Sequence, residues 1–446
     1  MPWLPASSCR RTVIACGCLT ALGLTWLGLP TDAPPAFPAA GETTPASEPF
    51  TGPPWACRPR AQVLEQLGVD RWHGLGYRGQ GVKVAVLDSG FRGYRAHLGG
   101  ALPARVTTHS FRSDGDLEAR DSQHGILCGE VLHALAPDAE LLLANWDPDR
   151  PDQFLAAARW ARSQGARVIS CSLIMPTWSD GEGGGPVDGA LAAVVGPGTG
   201  PADLLFFASA GNTAQRHWSG PFRGDGGGLH QWAAGRTDNA LTPWGPERVS
   251  VEMCWPPGPN YELSVRDAGT GVLVGRCRGP AGRRGSVERC CAVVRFVPRP
   301  QAQYRVRVRH LDGPPGSFHL VVLGGRLAHA RARGSIACPA DGPAVIAVGA
   351  VDCDGQRVCY SSCGPNSRRP KPDFVAPVPF PSRWRDRPFS GTSAAAPQAA
   401  ALAALWWSRH PDWSAAQVRA AIRGSALDLG PAGHDFETGY GLVRLP

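Results

Sequence analysis

The chain has 446 residues, 45 Lys+Arg against 37 Asp+Glu, 43% hydrophobic and 18% charged residues, a balance that suits one large or two medium globular domains and excludes disorder throughout. Its 56 glycines and 43 prolines follow no triplet period, so collagen is excluded and a loop-rich fold is favoured. The formal charge of +8 is almost all arginine, because Lys83 and Lys371 are the only lysines, and the arginines are scattered rather than gathered into runs that would track a phosphate backbone. No nucleic-acid partner is expected.

At the N-terminus Arg10 and Arg11 precede an uncharged stretch from Thr12 to Leu29, long for a cleavable signal core and at the short edge for a membrane-spanning helix. Residues 1–30 therefore read as a signal peptide or as an anchor giving membrane attachment through residues 12–29. Either places the remainder outside the cytoplasm: secreted, periplasmic or membrane-anchored. Residues 31–60 are rich in Pro, Ala and Thr, as expected of a linker. Fourteen cysteines in an exported protein predict disulfides, and removing Cys9, Cys16 and Cys18 of the leader leaves an odd number, so at least one free thiol is expected in a monomer.

Short apolar runs at 82–87, 139–144, 167–173, 204–209 and 344–350 have the length and Val/Ile/Leu/Phe content of strands buried on both faces. Ala-rich segments at helical spacing cover 152–164, 394–409 and 414–423. Together these predict an α/β fold with a doubly wound parallel sheet. In such sheets chemistry collects beyond the carboxyl ends of the strands.

Four polar residues stand in such places. Asp88 follows the run Val84 to Leu87, His124 opens the apolar segment Ile126 to Leu135, Asn212 ends Phe207 to Gly211, and Ser393 sits in Gly391-Thr392-Ser393-Ala394-Ala395-Ala396-Pro397 at the head of a helix. Singly, Asp88, His124 and Asn212 are as well explained as turn or capping residues. Jointly, Asp, His and Ser in that sequential order form a nucleophilic constellation on an α/β sheet.

The segments VAVLDSG, HG, ASAGN and GTSAAAP resemble the signature blocks of the subtilisin-like serine proteases. The resemblance implies a serine endopeptidase with polypeptide substrates, Asp88, His124 and Ser393 as catalytic triad, and Asn212 in the oxyanion hole. It implies that Ser172 and Leu173 form one wall of the substrate cleft, and Ser209, Ala210 and Gly211 the other. No cofactor is required; structural calcium, common in the family, has no evident site, since the acidic run Asp114, Asp116, Glu118 and Asp121 lacks the spacing of a calcium loop. Cys128 stands one helical turn after His124, as in proteinase-K-like relatives, which implies sensitivity to mercurials. Ile174 and Met175 stand where many relatives have glycines, and Ile126 replaces a usual Thr.

The interval from Asn212 to Ser393 is far too long for compact members. Blocks at 344–352, 361–365 and 371–377 resemble the segments that normally follow the Asn block closely, so residues 215–334 read as an insert whose apolar runs (248–255, 261–267, 287–297, 304–311, 317–325) predict a small antiparallel β-sandwich. The expected organisation is a catalytic domain in two parts, 61–214 and 335–446, around that module, acting as a monomer. The alternative is an inactive scaffold of the same fold that presents the β-module to a ligand.

Overall fold

The computed structural model describes residues 58–119, 122–279, 290–367 and 369–446. The leader, nearly all of the linker, Asp121 and the start of the run at 287–297 lie outside the described residues. Within them no helix is long and apolar enough to cross a membrane.

Two short helices, α1 (Arg60–Gln66) and α2 (Val69–Gly74), lead into β1 (Lys83–Leu87), β2 (Val106–Ser110), α3 (His124–Leu135), β3 (Glu140–Asn145), α4 (Pro151–Ser163), β4 (Val168–Cys171), α5 (Pro186–Val195) and β5 (Leu205–Ser209). Among the described residues nine strands follow: β6 (His217–Pro221), β7 (Asn239–Pro243), β8 (Val249–Cys254), β9 (Asn260–Asp267), β10 (Leu273–Arg278), β11 (Cys291–Phe296), β12 (Tyr304–Asp312), β13 (Ser317–Leu323) and β14 (Gly325–Leu327). It closes with β15 (Ile346–Val351), β16 (Phe374–Pro377), α6 (Thr392–Arg409) and α7 (Ala415–Ser425).

β16, β15, β5, β4, β1, β3 and β2 form one seven-stranded sheet in that order, all neighbours parallel. Because successive side chains of a strand point to opposite faces, β1 divides its residues between two cores. Val84 and Val86 pack with α3 and α6, whereas Ala85 and Leu87 pack with α4 and α5. Burial on both faces is why the strands read as continuous apolar runs. α6 can lie close to the sheet because Ala394, Ala395, Ala396, Ala399, Ala400 and Ala401 are all fully buried and small.

β6 to β14 build two antiparallel sheets, ordered β10-β9-β12-β7-β14 and β11-β8-β13-β6. Their alternating inward residues, among them Trp218, Val251, Tyr261, Leu263, Val306 and Phe318, make a third core with no member in common with the other two. The backbone enters and leaves this unit at one place: the Arg331 N–H donates to the His217 carbonyl at 2.6 Å, and Ser219 Oγ donates to the Arg333 carbonyl.

Cys128, Cys171, Cys254, Cys277, Cys338, Cys353, Cys359 and Cys363 are thiols, so the expectation of disulfides finds no bonded pair among them. The acidic run is partnered by arginines: Asp114 pairs with Arg112, and Glu118 with Arg95 and the Gly93 N–H.

Candidate active site

Asp88 follows β1 directly and is fully buried. Both of its carboxylate oxygens lie 2.9 Å from His124 Nδ1, and Oδ1 also accepts from the Ser89 N–H at 2.7 Å and from Ser89 Oγ at 3.2 Å. Carboxylate oxygens accept only, so Nδ1 carries the proton and Nε2 is left as the basic nitrogen. Ser122 Oγ ties the pair together, lying 3.0 Å from Ser89 Oγ and 3.4 Å from the His124 N–H.

His124 is the first residue of α3, and Gly125 behind it is needed for close packing, since a Cβ there would come within 2.4 Å of the Phe91 ring. Burial opposes charge on the imidazole, but the Asp88 charge and hydrogen bond outweigh it and raise the His124 pKa above the ordinary histidine range. Arg385 pulls the other way. The Phe389 ring stands edge-on to the imidazole, 5.5 Å between centroids.

Ser393 is the second residue of α6, where helix N–H groups have no intrahelical acceptor. Its Oγ donates to the Ser172 carbonyl at 3.3 Å, and Ser172 Oγ returns a bond to the Ser393 carbonyl at 3.1 Å. Asn212 stands opposite the helix end. Its Oδ1 accepts from the Thr392 N–H at 2.9 Å and from Thr392 Oγ1 at 3.0 Å, and that same hydroxyl accepts from the Gly211 N–H at 3.2 Å. Two donors on Oδ1 fix the amide flip, so Nδ2 is the group presented beside Gly391. Gly391 has φ of +89°, and a Cβ on it would sit 2.8 Å from Asn212 Nδ2.

The structure thus gathers Asp88, His124, Asn212 and Ser393 at the carboxyl edge of the parallel sheet. The residues expected to line a substrate cleft differ in what they touch. Ser172 touches Ser393 directly, whereas Ser209 and Ala210 are buried and position Gly211 rather than presenting their own side chains. Leu173 is half-buried beside them. Ile174 leans over Gly211, its Cγ2 3.3 Å from where a Cβ on that glycine would stand, and Met175 turns into the core.

Cys128 Sγ lies 3.6 Å from Asp88 Oδ2, 3.9 Å from His124 Nδ1 and 3.8 Å from the Ser393 carbonyl, one helical turn from the imidazole. Burial, then the Asp88 charge, push this thiol well above the ordinary cysteine range. Beside the substrate wall, Asp188, Cys338 and Asp341 are buried with ligand atoms within 4.8 Å of one another, a geometry that could hold a metal ion.

Thr392, Ser89 and Ser122 were not singled out from the sequence. Thr392 and Ser89 stand in the GTSAAAP and VAVLDSG blocks, next to Ser393 and Asp88, and that adjacency is a usable signal; Ser122 stands in neither block.

A seven-stranded parallel sheet with a carboxylate–imidazole pair at the end of one strand and a serine at a helix N-terminus makes this a doubly wound α/β protein with its polar cluster at the carboxyl edge of the sheet. The subtilase family model matches residues 79–239 and 317–441, nearly two thirds of the chain, and the chain belongs to that family. The interruption falls inside the run of nine strands. Subtilisin E of Bacillus subtilis (strain 168) is 36% identical over 111 residues, 25% of this chain and 28% of that protein. Subtilisin DY of Bacillus licheniformis is 34% identical over 149 residues, 30% of this chain and 53% of its own length. The chain therefore spans between about a quarter and a half of these curated relatives. Among solved structures, the Clostridium perfringens CspB protease superposes with a TM-score of 0.61 at 15% identity, covering 86% of this chain and 97% of that one, a likeness of fold.

Proposed function

We propose that this protein is an exported serine endopeptidase that hydrolyses peptide bonds through an acyl-enzyme. The observation that carries the reading is the buried Asp88 carboxylate held at 2.9 Å from His124 Nδ1, with Ser393, near the N-terminus of an 18-residue helix, linked to that pair by Cys128, whose sulfur lies 3.9 Å from Nδ1 and 3.8 Å from the Ser393 carbonyl.

For attack, the Ser393 hydroxyl leaves the Ser172 carbonyl by rotation between staggered wells and turns toward His124 Nε2. As Oγ bonds the substrate carbonyl carbon, its proton passes to Nε2, and Asp88 stabilises the imidazolium. The carbonyl oxygen, now negative, receives hydrogen bonds from Asn212 Nδ2 and the Ser393 N–H at the positive end of α6. The C–N bond breaks as Nε2 returns the proton to the leaving amine. Water then attacks the ester with the same base: its oxygen joins the acyl carbon, the bond from that carbon to Ser393 Oγ breaks to release the acid, and the water's proton passes through His124 to Oγ.

The leader supports export, and the third hydrophobic core supports treating the antiparallel strands as an accessory module inserted into a two-part catalytic domain. No cofactor enters these steps, and the protein is proposed to act as a monomer.

The test is labelling by a fluorophosphonate, with casein digestion alongside. Labelling absent from Ser393→Ala, with casein turnover reduced by about 10⁶, is the expected result. A folded wild-type protein that neither labels nor digests casein would instead support the inactive scaffold.

A further inference from the structure

Segment 380–389 connects the region of the imidazole to a cleft of about 400 Å³ lined by Arg58, Pro59, Pro381, Ser382, Arg385, Asp386, Arg387 and Pro388. One end of the segment is fixed to the helix that carries His124. Glu130 of α3, buried, accepts from Arg60, Ser382 Oγ and the Arg383 N–H. The other end delivers Phe389 against the His124 ring, and Phe380 and Phe389 are bridged backbone to backbone at 2.7 and 2.8 Å. The cleft is thus anchored to the catalytic helix at both ends.

Its charge is unbalanced. Three arginines face one carboxylate, Asp386. Arg58 is engaged, donating to Gln66 and to the Cys353 carbonyl. Among the described residues Arg385 and Arg387 have no carboxylate within bonding distance: Arg385 lies over the Trp384 ring, 6.0 Å from its guanidinium carbon, and feels the charges of Glu130 and His124 only at longer range, and Arg387 stands exposed. A guanidinium presents a fork of donors matched to a carboxylate, and two of them on one wall form a receptor for an acidic side chain.

The proposed mechanism gives the cleft its place along the substrate. His124 hands its proton to the leaving amine, so the part of the substrate that follows the scissile bond departs on the imidazole side, while the wall with Ser172 and Ile174 serves the acyl side. Pro388 of the cleft wall is the chain neighbour of Phe389, whose ring centroid lies 5.5 Å from that of the imidazole, so the first few residues of an extended leaving strand, at about 3.3 Å each, run along this wall.

We propose that Arg385 and Arg387 select substrates with Asp or Glu in the first four residues after the cleaved bond. This rests on the endopeptidase reading, and the experiment separates the two. Quenched-fluorescence peptides, identical except for Glu, Gln or Lys at each of those four positions, are cleaved by the full-length protein at pH 9 and low salt. The neutral peptide reports the protease reading. The Glu/Gln ratio of kcat/KM reports the inference.

The expected ratio is about fivefold at one or two of the positions, as suits a charge pair at a solvent-accessible site, shrinking as salt is raised. In the double variant Arg385→Gln, Arg387→Gln the ratio falls to about 1 while the neutral peptide is still cleaved; in Arg385→Glu, Arg387→Glu the preference passes to Lys. Cleavage of the neutral peptide with no Glu preference at any of the four positions, or a preference that survives both double variants, overturns the inference. Failure to cleave any peptide, together with no fluorophosphonate labelling, overturns the endopeptidase reading on which it rests.

Discussion

Asp88 does three things with two oxygens. It sets the tautomer of His124, anchors the Ser89 turn and raises the affinity of the imidazole for a proton. Only neutral His124 can take the serine proton. With its pKa raised, kcat/KM is expected to rise with pH through one ionisation above the ordinary histidine value and to fall as pH drops through it. Asp88→Asn should cut activity by about 10⁴ at neutral pH, since the tautomer is then no longer fixed. A pH profile of peptide hydrolysis checks both. Asn212→Ala should lose about 10²–10³ in kcat with KM little changed, because Nδ2 acts on charge that exists only in the transition state. Cys128 gives a different test. Its thiol is held protonated by burial and by Asp88, so iodoacetamide, which needs the thiolate, should react slowly, whereas a mercurial should bond sulfur, push His124 off Asp88 and abolish activity. Cys128→Ala should resist the mercurial; equal inhibition of that variant would place the sensitive thiol elsewhere. The four polar residues were legible because each ends an apolar run or opens a helix. The Ser89–Ser122 contact and the Gly211–Thr392 bond were not, because they span 33 and 181 residues and no local pattern encodes them.

At the scale of elements, the buried strands and the long Ala-rich helix were readable because two-sided burial demands continuous apolar sequence. β2 was not: Val106–Ser110 is an edge strand with no fully buried residue, so Thr and His fill it as readily as Val. α5 was hidden by its glycine-rich approach, and α1 begins at Arg60, the last residue assigned to the linker. Other elements are held by charge. Asp373, beside β16, accepts from Lys371 Nζ at 2.8 Å, from Arg419 of α7 at 2.6 Å and from the Ala347 N–H of β15 at 2.9 Å. Lys371 is one of only two lysines and is fully buried. Burial opposes the Asp373 charge, but Lys371 and Arg419 prevail and depress its pKa. A carboxyl depressed in the folded state contributes stability above its unfolded pKa, about 3.9, and loses it as pH falls through the lower folded value. Asp373→Asn leaves a buried ammonium uncompensated and should cost about 3–5 kcal/mol near neutral pH. The difference from wild type should close under acid; urea denaturation at pH 7 and pH 3 measures it.

At the scale of the molecule, the catalytic sheet and the antiparallel unit are two constructions joined at one gate, where His217 and Arg331 lie hydrogen-bonded backbone to backbone. The separate third core says the catalytic part can fold without the other; the contacts between them say it would not fold unchanged. His319 Nε2 meets Glu182 at 2.8 Å and Arg295 meets Asp149 at 2.9 Å, both across the junction. β8 and β11 pack on the turn Pro176–Trp178, which continues the substrate wall from Ser172 through Ile174. The antiparallel unit is therefore a brace on that wall as well as an insertion. Replacing residues 218–330 by an Asn-Gly turn joins two backbones already in contact and adds little loop-closure cost. The shortened protein is expected to fold and to label with fluorophosphonate, since Asp88, His124, Asn212 and Ser393 lie outside the excised stretch. Its melting temperature should fall by several degrees as the face under Trp178 becomes exposed. KM for peptides should rise more than kcat falls, because the wall orients substrate while the triad is untouched. Equal losses in kcat and kcat/KM in a folded, shortened protein would mean that the strands support the oxyanion site itself, through Arg216, whose guanidinium donates to the Asn212 carbonyl at 3.0 Å one residue before the gate.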